Sequence, residues 1–255
     1  MSGLLKNEWL KLANNKKLYF FLLAVAAIQF LPVFMTLFLK MRTLNGQVYP
    51  LTMFGVLVSF VLPLLLLILV AETVAEEHTA GLLALSLLHP VTRGKVIAAK
   101  AVFFFTVILV FLLFAMLFGY AVGTLLFGWG GGFMLRGTAF PTGKGVAITF
   151  LSYVTAALPQ FAFCQLVMFL AVVINSSAAV AGIAAGIFIF SSMLMLLSDE
   201  IKPFLLTSYF NTVPAVADFA IGKTGVFAQF SFPALYALVF FLLTVLVFSK
   251  KDMLF

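Results

Sequence analysis

The sequence predicts an all-α integral membrane protein: six transmembrane helices, an N-terminal interfacial helix, and a short helix in a charged segment between spans two and three. Two observations carry the prediction. Of the 255 residues, 64% are apolar and 9% are charged, against roughly 45–50% and about 25% in ordinary soluble domains. The charges also leave six long apolar runs between them, and a helix needs about 20 such residues to cross ~30 Å of hydrocarbon. The single Cys164 excludes an intramolecular disulfide and a cysteine-based metal cage. Fifteen Lys and Arg against eight Asp and Glu read as topology and headgroup attraction, so no nucleic-acid partner is expected.

The chain opens with an amphipathic stretch at 4–15. Leu5, Trp9 and Leu12 fall on one arc, with Lys6, Asn7, Lys11 and Asn14 opposite; an apolar stripe with Trp and a lysine-rich face describes a helix lying in the membrane interface. The first span is 18–39. "LAVAA" at Leu23–Ala27 resembles a signal-peptidase site, but the apolar run continues to Leu39, longer than the 7–15 residues of a signal core. Further spans are expected at about 51–71, 98–127, 146–174, 178–197 and 226–248. The fourth and fifth share one uncharged stretch, which turns at "NSS", Asn175–Ser177. With both termini on one side, nine cations fall there and six on the other, which favours cytoplasmic termini in a cell membrane. Pro32, Pro63 and Pro159 should bend spans one, two and four, and "GWGGG" at Gly128–Gly132 reads as a flexible exit turn. Gly119-x-x-x-Gly123 and Gly182-x-x-x-Gly186 allow close helix approach.

Searching for chemistry excludes more than it finds. "GKT" at Gly222–Thr224 lacks the earlier glycine of a phosphate-binding loop, since position 217 is Ala217. His78 and His89 stand too far apart for a helical zinc pair. No catalytic residue, cofactor or metal site is expected. The polar groups in mid-span are neutral: Gln29, Tyr153, Gln160, Cys164 and Gln165. Ion-coupled carriers commonly hold ionisable groups at that depth, so uphill transport would draw its energy from another subunit. Gln160 and Gln165 are the candidates to line a translocation path.

One segment, 72–97, breaks the apolar pattern. Glu72, Glu76 and Glu77 ride the end of span two, and like charges one turn apart imply solvent or a cationic partner. Gly81 then bends the chain. "LLALSLLH" has leucines nearly all round, so something must cover it, and Pro90 ends it. Arg93 and Lys95 sit unfavourably at the positive end of span three, which lipid phosphates or acidic groups on a partner would offset. A docking knob and an anchoring hairpin both fit these residues.

"EEHTAGLLALSLLHPVTRGKVIAAK" resembles the same segment of type-2 ATP-binding-cassette (ABC) exporter permeases. Their pattern is an acidic pair, a Gly, a leucine run, Pro-[Val/Ile]-[Ser/Thr]-Arg, and a Lys seven residues on. Glu76, Glu77, Gly81, Pro90, Val91, Thr92, Arg93 and Lys100 match it. "LLKNEWLKL" before span one and the ending "FSKKDMLF" fit as well. Thr79 and Ala80 before Gly81, and Leu82 after it, depart from the usual Gly-Thr or Gly-Ser. The resemblance implies a permease that pairs with a second copy or a homologous permease and with two cytoplasmic ATPase subunits. Nucleotide-driven closure would push on a coupling helix at about Gly81–His89 and on the interfacial helix. Glu72, Glu76, Glu77, Gly81, Pro90, Arg93 and Lys100 would be the ATPase-coupling residues. It also implies a re-entrant outer segment at about 199–225; two short helices resting on the outer leaflet suit the same residues. The Phe-rich, charge-free spans suit an amphipathic cargo such as a peptide antibiotic, a drug or a lipid-like molecule. A scaffold without transport and a self-contained carrier are the readings from other classes.

Overall fold

The computed structural model describes residues 2–14, 16–39, 45–76, 93–174, 176–197, 199–223 and 228–250. The expected coupling helix at 81–89, His78, and Asn175 in the expected turn lie outside the described residues. An N-terminal helix, Ser2–Ala13, precedes six helices long and apolar enough to cross a membrane. Span one is Lys16–Leu39. Span two runs through Phe54–Val56, a π-helical turn Leu57–Val61, an α-helical stretch Leu62–Val70, and a second π-helical segment Ala71–Glu76. Spans three to six are Arg93–Phe127, Thr142–Val173, Ser177–Leu197 and Ala228–Lys250. Span three starts at Arg93, before the expected Ala98, and span four at Thr142, before Val146. The reason is that helix continues past the apolar run, where polar first turns can meet headgroups.

Span four is the hub, packed against spans two, three, five and six. Its small residues Ala156, Ala157, Ala162, Cys164 and Ala171 are buried, and small side chains let neighbouring backbones approach closely in a membrane. Hydroxyls hide by bonding their own helix: Thr149 to Gly145 O, Ser152 to Ile148 O and Thr244 to Phe240 O. The π turn in span two has a matching solution. There Leu62 N–H donates to Leu57 O, five residues back. The next bond in that pattern would run from residue 63 to Val58 O, but Pro63 has no N–H. Gln160 of span four supplies the donor, its Nε2 lying 2.5 Å from Val58 O.

The end of the bundle away from the N-terminal helix, which is the outer end on the expected topology, departs most from expectation. Phe133–Leu135 and Thr138–Phe140 form a short antiparallel hairpin, with Phe133 opposite Phe140. Its two-residue turn, Arg136–Gly137, has φ of 51° and 81°, the double positive φ of a type I′ turn. The glycine-rich stretch expected as slack is docked instead. Gly46 N–H donates to Gly128 O at 2.8 Å, Asn45 Nδ2 to Gly132 O at 2.9 Å, and Gln47 Nε2 to Gly130 O at 2.8 Å. Beneath it, Gly119 and Gly123 admit Pro50 and Tyr49, and a Cβ on Gly123 would sit 2.5 Å from Tyr49 Cβ. The tyrosine hydroxyl donates to Gln29 O. Burial pushes the Tyr49 phenol up to about 12, so it stays a donor at physiological pH.

After span five the chain makes two 3₁₀ turns, Lys202–Phe204 and Leu206–Tyr209, and a helix, Val213–Ala220. Phe210 is fully buried in a three-ring cluster with Phe163 and Phe188. Phe188 lies nine residues in from Leu197 at the end of span five, roughly 13 Å along the helix. Thr212 anchors the return, donating to Ser152 O at 2.7 Å. The described part of the segment is thus tied to the bundle through Phe210 and Thr212.

Candidate functional site

The site is the base of spans two and three, at the two described ends of the charged segment, Glu76 and Arg93. Span two changes to a π-helix over Ala71–Glu76, a wider turn that favours functional positions. Thr73 secures its start, donating to Leu69 O at 2.6 Å. Glu72 projects to Lys17, at the start of span one, with 2.7 Å between Nζ and Oε2. The cationic partner that the Glu72–Glu76 spacing calls for is thus, for Glu72, within the chain.

The N-terminal helix packs across this base. Leu5, Glu8, Trp9 and Leu12 are spaced i, i+3, i+4, i+7 and share one face. Leu12 is buried, Leu5 and Trp9 pack against the main core, and Trp9 meets Phe103 of span three edge to face at 5.6 Å. Within that apolar stripe, Glu8 reaches Lys100 of span three, Oε1 to Nζ 3.1 Å. The lysine side chain is 2% exposed and that of Glu8 11%. Lys100 also donates to Thr73 O at 3.4 Å, and Lys11 stands 3.9 Å from Glu8. One lysine therefore ties together the N-terminal helix, span two and span three. Truncating either partner of a buried pair leaves an uncompensated charge, costing about 3–5 kcal/mol.

Of the expected coupling residues, the structure brings Glu72 and Lys100 to this base. Lys100 is an internal brace there, not a surface contact. Glu76 ends the π-helical segment and Arg93 begins span three. Glu77, Gly81 and Pro90, with the side chains of Glu76 and Arg93, lie outside the described residues. Leu5, Trp9 and Leu12 face the main core, Trp9 against span three, so the helix has less apolar surface for lipid than its stripe suggested. Glu8 and Lys17 were missed. The signal for Glu8 was an acid inside an apolar stripe, and for Lys17 a cation one helix away from paired acids.

Gln160 and Gln165 are fully buried in span four. The Gln160 amide nitrogen is committed to Val58 O. Gln165 has neither Nε2 nor Oε1 hydrogen-bonded among the described residues. No group of three or more metal-ligating side chains occurs among the described residues. Residues 4–192 match the family described as ABC-2 family transporter protein. The match runs from the N-terminal helix into span five and so includes the whole base. No curated protein matches the chain.

Proposed function

The chain belongs to the ABC-2 transporter family, and on that premise we propose that it is the permease subunit of an ABC exporter in the cell membrane. Two such subunits, identical or homologous, form the translocation path, and a separate cytoplasmic ATPase supplies the energy. Both termini face that ATPase. The observation that carries the reading is the buried Glu8–Lys100 pair, because it joins the N-terminal helix to the foot of span three. A push delivered to the N-terminal helix then reaches span three through the ion pair, which cannot part without stranding a charge, and reaches span two through the hydrogen bond from Lys100 to Thr73 O. Glu76, Glu77 and Arg93 are the contacts on the ATPase side. The π-helical segment Ala71–Glu76 is the flexing point between the base and the coupling helix.

The outer segment at 199–225 is the outer gate, supported by the inward position of Phe210. Gln165 is the path residue we favour, because neither polar atom of its buried amide has a hydrogen-bond partner among the described residues, whereas Gln160 Nε2 is engaged by Val58 O. A path whose mid-span polar groups are neutral suits amphipathic cargo such as a peptide antibiotic, a drug or a lipid-like molecule. The test is co-purification with a candidate ATPase and measurement of ATP hydrolysis. Charge reversal at both Glu76 and Glu77 should abolish permease-dependent stimulation of hydrolysis. Failure of the two proteins to associate would overturn the reading.

A further inference from the structure

Spans three, four and six leave a groove of about 510 Å³ between them, with walls that include Ala98, Val102, Phe105, Phe161, Ala237 and Phe241. That volume lies within the roughly 300–1,000 Å³ of small-molecule sites. The lining is apolar throughout. The groove opens sideways, since Val102 and Leu238 on its rim are 40% and 54% exposed. Its lower end is drawn in where span three begins: a Cβ placed on Gly94 would lie 3.8 Å from Val245 of span six. Phe105 is twelve residues into span three, so the groove's span-three wall lies within roughly 18 Å of its base. That depth belongs to the leaflet on the side of the termini.

Lys95 stands beside the lower end. It precedes Ala98 by three residues and Val102 by seven, and so shares their side of span three. It is exposed, and among the described residues it has no carboxylate partner. An apolar slot in one leaflet with a cation at its headgroup end matches the two halves of an anionic phospholipid. A second copy of the chain fits less well, because a helix about 10 Å across needs a longer trough.

We propose that this groove holds one acyl chain of an anionic phospholipid whose phosphate sits on Lys95. Lipid tails are as apolar as the groove wall, so leaving the bilayer for the groove gains little hydrophobic energy. Retention then depends on filling the void and on the headgroup charge, and this makes the site selective for headgroup more than for chain. The inference needs only that the chain spans a membrane, and stands apart from the transport reading.

Native mass spectrometry of the full chain in detergent, titrated with dioleoyl phosphatidylglycerol or dioleoyl phosphatidylcholine, tests it. One phosphatidylglycerol per chain should be retained, with phosphatidylcholine several-fold weaker. Lys95→Ala should weaken phosphatidylglycerol about fivefold, the equivalent of ~1 kcal/mol for one surface lysine, and weaken phosphatidylcholine less, because its choline already offsets the phosphate charge. Ala237→Leu, which fills the slot, should weaken both lipids. Equal retention of both lipids, insensitive to Lys95→Ala, would overturn the proposal. So would a groove variant that leaves lipid in place but converts dimer to monomer, which would assign the groove to a second copy.

Discussion

The two ends of this bundle are held by different forces. At the outer end, backbone meets backbone: Gly46 on Gly128, Asn45 and Gln47 side chains on glycine carbonyls, and Tyr49 pressed on Gly123. The ion pairs there, Lys202–Asp199 and Lys223–Asp218, join neighbours three and five residues apart within one segment. At the base, charge does the joining across the chain. Glu8 finds Lys100, and Lys17 finds Glu72. Glycine contacts tolerate almost no displacement, because atoms already touch. Ion pairs can lengthen, exchange partners and reform, and they answer to any new charge placed beside them. Under the proposed coupling, that asymmetry would set a yielding base, where the push arrives, against a stiff far rim.

The comparison can be broken first at Lys100. Lys100→Met should destabilise the protein by ~3–5 kcal/mol, because Glu8 is left charged and buried, read as a drop in thermal midpoint of the purified protein. Adding Glu8→Leu should restore most of it, since a buried pair replaced by apolar groups is often neutral. A single variant as stable as the parent would show that the base does not depend on this pair. At the outer end, a Cβ on Gly145 would lie 2.3 Å from Phe133 Cγ, so Gly145→Ala should cost about 1–3 kcal/mol by overpacking. Added salt should neither worsen nor relieve that loss in the same melting assay. Gln165→Leu sharpens the separation of stability from transport. It removes a buried polar group without a described partner, so the thermal midpoint should hold or rise slightly while efflux from proteoliposomes falls. The smallest effect belongs to Lys17→Ala. A half-exposed pair is worth about 0–1 kcal/mol, and the difference from the parent should vanish as salt is raised.

Much of this architecture was legible because a membrane tolerates so few exceptions. A charge in the hydrocarbon is costly, so the six apolar runs mark the spans with little competition from other signals. The base was half legible. Glu72 and Lys100 stood out as charges in a charged segment, but Glu8 was hidden by its surroundings. The lysine that satisfies it lies 92 residues away, and no local pattern reports a partner at that distance. The outer end was misread for a different reason. Glycine serves both freedom and close approach, and the sequence of Gly128–Gly132 does not say which until residues 45–47 are placed against it. The hairpin at Phe133–Phe140 escaped because three-residue strands are too short for alternation to show.

Pro63 and Gln160 carry a consequence for how such a chain can diverge. Val58 O needs a donor, Pro63 cannot be it, and Gln160 is. A lineage that first replaces proline at 63 recovers a backbone N–H there, and glutamine at 160 is released to change later. One that first loses the glutamine is left with a stranded carbonyl inside the membrane, costing about 1–3 kcal/mol, until a second mutation arrives. Two positions 97 residues apart are thus free to drift in one order and not in the other.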